Sequence, residues 1–328
     1  MKNNGVCRWL LYEMNYYIRE RWNVLRSNEI PQKYAGRKVM NLKNTNEMLY
    51  RKIIEGNPFW AGRIGGNEMN TIAYYMRDRL FPFRTDARKD VLHDLYFGAG
   101  FFPEDLDCGN QFVELMLDCV KDIDLIGIWN RYMEEWMLAE YALNTSVSYI
   151  THLQPWGVVE LESNVVPWTS ALKGKRVLVI HPFAVSIEKQ YFNNRTLIFK
   201  DLPLHDDLLP EFDLKTLKAV QTMGNNDVEF PDWFAALKYM VDECKKIDFD
   251  VAIIGCGAYG FPLAAEIKKM RKIAIHLGGI TQLLFGIRGK RWDKYSGIYE
   301  KMINEHWVRP LDEERIKDSD KVEGACYW

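Results

Sequence analysis

The chain has 328 residues, with 43 lysines and arginines against 45 aspartates and glutamates and a formal net charge of −2. A chain of this length can bury about three quarters of its unfolded surface, so core size does not limit it. The balanced charge gives no footprint for nucleic acid or for an acidic polymer. The six cysteines (Cys7, Cys108, Cys119, Cys244, Cys256 and Cys326) show neither a C-x-x-C pair nor metal-ligand spacing. That pattern points to reduced thiols in a cytoplasmic protein and away from zinc. No apolar leader with a small-residue cleavage site is present. The longest uncharged runs, Val251 to Ala265 and Ile273 to Ile287, are too short to span a bilayer.

In chain order, Trp9 to Leu25 places aromatic and aliphatic residues at helical spacing, interleaved with Arg8, Arg19, Arg21 and Arg26. This is the pattern of an amphipathic helix that packs on the protein body or, in the alternative, lies on a membrane surface. Asn46 to Ile54 predicts a second helix, stopped at Gly56-Asn57-Pro58, and Phe59 to Ile64 a buried strand. Asn70 to Leu80 predicts a helix broken by Phe81-Pro82-Phe83. There follow a helix over Gln111 to Val120, a strand over Leu125 to Trp129, a helix over Tyr132 to Leu143 and a strand over Ser148 to Thr151. A turn at Leu172 to Lys175 releases the apolar strand Arg176 to Ile180, closed by His181-Pro182, with a helix from Ser186 towards Phe192. Trp233 to Cys244 is a strongly amphipathic helix feeding the strand Val251 to Ile254. A glycine turn, a proline-led helix and the strand Ile273 to Leu277 complete the series.

Alternating strands and helices predict an α/β fold, Rossmann-like, with a mostly parallel sheet covered by helices on both faces. The expected organisation is a helical N-terminal extension over 1–44, one domain over 45–304 and an irregular tail over 305–328. In such a sheet ligands collect at the carboxyl ends of strands. Four turns would share that edge: Arg63-Ile64-Gly65-Gly66-Asn67-Glu68, His181-Pro182, Gly255-Cys256-Gly257-Ala258-Tyr259-Gly260 and His276-Leu277-Gly278-Gly279. Glycine there either leaves backbone N–H groups bare for a phosphate or merely permits close strand-to-helix packing. The cluster Arg288, Lys290 and Arg291 supplies cations able to clamp a pyrophosphate, or is a solvated loop. The pairs Asp122/Asp124 and Asp248/Asp250 precede their strands and so belong to the opposite edge. Although the Gly255 to Gly260 spacing fits G-x-G-x-x-G, the following strand closes on His276 rather than on an acid for a ribose, which weighs against NAD(P).

Arg63-Ile64-Gly65-Gly66-Asn67-Glu68 resembles the R-[FI]-G-D-G-E signature of the GT-D class of glycosyltransferases, found in bacterial operons that build glycoprotein glycans, capsules and exopolysaccharides. Gly255 to Trp292 resembles the G-A-Y-G, H-L-G-G and F-G-I-x-G-K-R-W segments of capsule-associated relatives of that class. The resemblance spans Asn46 to Trp292, with Glu323 to Trp328 as a further match. It implies Rossmann-like layering, a UDP-sugar donor and a D-x-E pair holding a divalent cation, Mn²⁺ or Mg²⁺, against the donor. Glu68 matches the Glu of that pair, Gly66 stands where the Asp would be, and Asn67 is the residue left to supply a compensating oxygen.

The sequence therefore predicts a cytoplasmic glycosyltransferase of hexosyltransferase type, at the inner face of a membrane in the peripheral alternative. It would move a sugar from a nucleotide-sugar donor to a surface-glycan acceptor, free or lipid-linked, with no nucleic-acid partner. Glu68 is the expected metal ligand or acceptor base. The expected nucleotide-sugar-binding residues are Arg63, Gly65, Gly66, Asn67, His181, Gly255, Gly257, Ala258, Tyr259, Gly260, His276, Gly278, Gly279, Arg288, Lys290 and Arg291. The alternatives are a catalytically silent nucleotide-sugar-binding protein of a polysaccharide pathway and an NAD(P)-dependent oxidoreductase.

Overall fold

A computed structural model describes residues 2–21, 30–161, 165–223, 229–315 and 325–328. Among them nine strands form one sheet: β1 (Lys33–Tyr34), β2 (Arg37–Met40), β3 (Phe59–Gly62), β4 (Leu125–Ile128), β5 (Ser146–Tyr149), β6 (Arg176–His181), β7 (Asp213–Lys218), β8 (Val251–Ile254) and β9 (Ile273–His276). The main helices are α1 (Lys2–Arg21), α2 (Leu42–Glu55), α3 (Gly66–Leu80), α4 (Arg88–Ala99), α5 (Leu106–Asp122), α6 (Glu134–Tyr141), α7 (Ala184–Asn194), α8 (His205–Leu208), α9 (Trp233–Lys246) and α10 (Gly260–Lys269). Strand order is β1-β2-β5-β4-β3-β9-β8-β6-β7. Every pairing is parallel except β1 with β2. The protein is thus an α/β fold with a mostly parallel sheet.

The apolar runs explain the layering. In β8, Ala252 and Ile254 face one core, with Trp60, Phe112 and Phe261, while Val251 and Ile253 face the other, with Trp156, Trp168 and Phe183. A strand buried on both faces reads as a continuous hydrophobic run because the pleat sends alternate side chains to opposite layers. From β3 the chain winds outward through α3 to β4, whereas β9, its other neighbour, is reached through β8 and α10. The carboxyl ends of β3 and β9 therefore lie side by side at the junction of the two halves of the sheet. In open parallel sheets such a crevice is where ligands bind.

Several elements differ from the sequence reading for identifiable reasons. The helix after β3 starts at Gly66, not Asn70, so Glu68 belongs to its first turn. β7, not anticipated, is polar or charged at four of its six positions and pairs only with β6 at the sheet edge, where one side faces solvent. β1 and β2 form a hairpin through Ala35 and Gly36, both with positive φ, and β2 joins the main sheet beside β5. Such a two-residue turn matches the twist of the strands it joins. β5 begins at Ser146, two residues before the expected start, and α4 was not anticipated.

The predicted first helix runs from Lys2 to Arg21; Trp22, Leu25 and Arg26 lie outside the described residues. It seats Trp9 edge-on to Trp136 at 4.5 Å, and Glu13 ion-pairs with Arg84 at 3.0 Å. Its opposite face leaves Leu10, Leu11, Met14 and Ile18 exposed. No helix among the described residues is long and apolar enough to cross a membrane. Beyond residue 304 the chain is irregular but not loose: Trp307 and Trp328 are buried, and Val308 bridges Ile287. Glu323 and Gly324 lie outside the described residues.

Candidate active site

β3 is buried on both faces and runs through Arg63 and Ile64 into α3. Gly65 is the N-cap (φ −70°, ψ 165°) and has no side chain with which to cap the helix. Glu68, in the first turn, folds back towards it; a Cβ on Gly65 would overlap the Glu68 carboxylate. The carboxylate faces its own backbone N–H, which favours its ionised form, and an acid in the first turn of a helix is favoured by the helix dipole. Glu68 is 9% exposed. Burial pushes its pKa up, and the nearby Arg63 and Arg131 guanidinium groups pull it back.

Arg63 crosses from the end of β3 towards β9. Its guanidinium lies against Gly278, where any Cβ would overlap it, and 5.5 Å above the Trp129 ring. Its Nε is buried with no hydrogen-bond partner. Trp129, just past β4, donates its indole N–H to the Ile64 carbonyl at 2.9 Å, which ties the β4 loop to the β3 loop. Arg131 stacks 3.6 Å over the same indole ring. The Arg131 guanidinium carbon also lies 3.6 Å from where a Cβ on Gly66 would stand. The result is a carboxylate and two guanidinium groups around one tryptophan, at the ends of β3, β4 and β9.

The Trp129 to Met133 loop is held in an uncommon conformation: Asn130 (φ 58°) and Met133 (φ 59°) are left-handed without being glycine. Glu134 accounts for that. Its Oε2 accepts from the backbone N–H of Trp129 and of Arg131, each at 3.2 Å, and from the Tyr34 hydroxyl at 3.1 Å. Glu134 is 0% exposed, its Oε1 has no partner, and burial pushes its pKa up to about 7. Sequence reasoning missed Trp129, Arg131 and Glu134, although Trp129-Asn130-Arg131 follows an apolar run as the glycine turns do.

The buried Glu134 has a stability consequence whose sign is fixed. Its folded pKa of about 7 lies above the ordinary glutamate value of 4.5. Between these values the native state holds a proton that the unfolded chain has released, so stability falls as pH rises through that window and stays lowered above it. The difference is worth roughly 3 kcal/mol at most. Glu134→Gln, a neutral shape mimic, should therefore be more stable than wild type by about 1–3 kcal/mol near pH 8 and close to equal near pH 5. Urea unfolding at the two pH values measures this, and an equal difference at both would remove the assignment.

The other expected site residues are placed as follows. The Gly255 to Gly260 turn is buried except at Gly257. A Cβ on Gly255 would stand 2.6 Å from Thr281 Oγ1 and 2.7 Å from the Gly278 carbonyl, and one on Gly260 would overlap the His276 ring. Tyr259 stacks on Trp233 at 4.9 Å, and Ala258 is buried. The turn is thus filled by neighbouring side chains, and only Gly257 (φ +57°) reaches the surface, beside the Ala99 carbonyl. Burial pushes the pKa of His181 and of His276 down to about 3, so both rings are neutral. His181 Nδ1 accepts from the Phe183 N–H at 3.0 Å, and His276 Nδ1 lies 3.2 Å from the Ile254 carbonyl. Both stabilise strand ends, and that contribution is lost as pH falls below about 6.5, where the unfolded histidines protonate.

Asn67 donates its side-chain N–H to the Asp94 carbonyl at 3.1 Å, which binds α3 to α4. Arg291 stacks 4.5 Å from the Tyr327 ring and donates to its hydroxyl at 3.0 Å, while Tyr327 lies over Gly279. The 288–291 segment thereby joins the β9 turn, with the Arg288 N–H donating to Val308 and the Lys290 N–H to Trp328. Asp124 and Asp250 sit at the amino ends of β4 and β8, bonded to Lys268 and Arg176 respectively. They belong to the edge opposite Glu68.

These residues do not fit a resident divalent cation. Gly66 offers no ligand, the space over it holds the Arg131 guanidinium, and the lone carboxylate of Glu68 lies within the field of Arg63 as well. Hard divalent ions want several oxygens, whereas clustered guanidinium groups suit a phosphate or carboxylate.

No family model and no curated protein matches the chain. Two solved structures are similar to it, each at 12% identity over 82% of this chain and 98% of its own length. One is a selenomethionine-substituted domain of unknown function 1792, with a TM-score of 0.42. The other is described as the highly conserved domain of unknown function 1792 with a distinct glycosyltransferase fold, with a TM-score of 0.40. At 12% identity neither assigns a role to any residue of this chain.

Proposed function

We propose that the protein is a glycosyltransferase that moves a sugar, of hexose type, from a UDP-sugar to a glycan or lipid-linked glycan acceptor of a surface-polysaccharide pathway. The reading is carried by one observation: a buried carboxylate, Glu68, beside Arg63 and Arg131 at the β3/β9 crevice. The resemblance of Arg63 to Glu68 and of Gly255 to Trp292 to glycosyltransferase motifs supports it. In the reaction the acceptor hydroxyl oxygen attacks the anomeric carbon and its proton passes to Glu68. The bond from that carbon to the diphosphate oxygen breaks, and UDP leaves with the electron pair. The raised pKa of Glu68 suits a proton acceptor, because a base works best when its pKa approaches the working pH. An acceptor on a lipid carrier would be met at the cytoplasmic face of a membrane, where the exposed apolar face of α1 could rest.

Because Gly66 stands where an acid would be, a second reading is a protein that binds the nucleotide-sugar without turnover. UDP release from a panel of UDP-sugars separates the two. Steady release, with or without added acceptor, supports the transferase. Binding of UDP-sugars with no release over hours leaves the binding protein. No binding of any UDP-sugar would remove both.

A further inference from the structure

We infer that Arg63 and Arg131 do the work of a divalent cation, holding the diphosphate of the donor and of the departing nucleotide, so that the protein binds its nucleotide without metal. The inference rests on the nucleotide-sugar reading above and deepens it. Neither arginine is in an ion pair with a carboxylate among the described residues, unlike Arg19, Arg77, Arg84, Arg88 and Arg176. Instead Trp129 organises them: one guanidinium carbon lies 5.5 Å and the other 3.6 Å from its ring centroid. Two like charges so gathered repel each other; the Glu68 carboxylate beside them offsets part of that repulsion, and a bound diphosphate would relieve the rest. Guanidinium forks match phosphate oxygens bidentately and remain charged at every working pH, so a diphosphate is the ligand class they suit.

Gly66 gives the arrangement its selectivity. A side chain there would meet Arg131, whose guanidinium carbon and Nη2 lie 3.6 Å from the would-be Cβ. An aspartate at that position would pair with Arg131 before it held a metal ion. The glycine thus keeps Arg131 available, and the Glu134 carboxylate, bonded to the Arg131 and Trp129 N–H groups, fixes the loop that presents it. Arg131 is a phosphate-binding residue in this account, and Glu134 and Trp129 are positioning residues.

Calorimetric titration of UDP and of uridine, in EDTA and in excess Mn²⁺, tests the inference with wild type, Arg131→Ala, Arg131→Lys and Gly66→Asp, each checked for folding by circular dichroism. Wild type should bind UDP within about twofold of the same affinity in EDTA and Mn²⁺. Arg131→Ala should weaken UDP by roughly tenfold or more and leave uridine unchanged, with Arg131→Lys in between. Gly66→Asp should weaken UDP in both buffers. UDP binding that needs Mn²⁺, or that Gly66→Asp strengthens in Mn²⁺, would overturn the inference while leaving the nucleotide-sugar reading intact. Failure of wild type to bind UDP in either buffer would instead overturn that reading, and the inference with it.

Discussion

Glu68→Gln is expected to lower sugar transfer by about 10²- to 10⁴-fold, the usual contribution of a general base, while UDP binding and the fold are kept. Glutamine preserves shape and can still face the backbone N–H that the carboxylate faces, so the first turn of α3 need not unravel. What it cannot do is take the acceptor proton. The wild-type rate should fall as pH drops through the Glu68 pKa, because the base must be ionised, and the midpoint should lie above the ordinary carboxylate value since burial raises it. A milder change gives an independent check. Gly65→Ala has a compatible backbone (φ −70°, ψ 165°), yet its methyl group would occupy the place of the Glu68 carboxylate. Displacing the far end of a flexible side chain is cheap, so stability should change by less than about 1 kcal/mol while transfer falls. Retention of wild-type rates in both variants would reduce Glu68 to a helix-dipole partner.

Gly255→Ala is expected to show the largest loss of stability, about 2–3 kcal/mol or more in denaturant unfolding, with UDP affinity of the folded fraction unchanged. The added carbon would stand 2.7 Å from the Gly278 carbonyl as well as from Thr281 Cβ, and a backbone atom cannot yield as a side-chain tip does. The strand end would have to separate from the β9 turn. Loss of UDP binding in a variant of full stability would show instead that the turn contacts phosphate directly.

The two glycine turns look alike in sequence but have different surroundings. The buried strands were legible because continuous apolar runs such as Val251 to Ile254 suit a sheet covered on both faces. The shared edge of Glu68, Gly255, His276 and Gly278 followed from the expectation of parallel strands, whose carboxyl ends lie on one side of the sheet. The filling of the Gly255 turn was not legible, since Thr281 and His276 reach it from other elements. Trp129 and Arg131 escaped notice for a similar reason: the bond from the Trp129 indole to the Ile64 carbonyl spans 65 residues of sequence. Glu134 reads as an ordinary first-turn acid of α6 until its burial and its bonds to the preceding loop are known. Polar edge strands such as β7 stay hidden because half of their residues face water.

Hydrogen exchange with and without UDP tests the location of the site most directly. Bound diphosphate should slow exchange of the amides over Gly65 to Met69, Trp129 to Arg131 and Gly278 to Ile280, the segments gathered around Arg63 and Arg131. Protection confined to other parts of the chain, at UDP concentrations that saturate binding, would contradict the account.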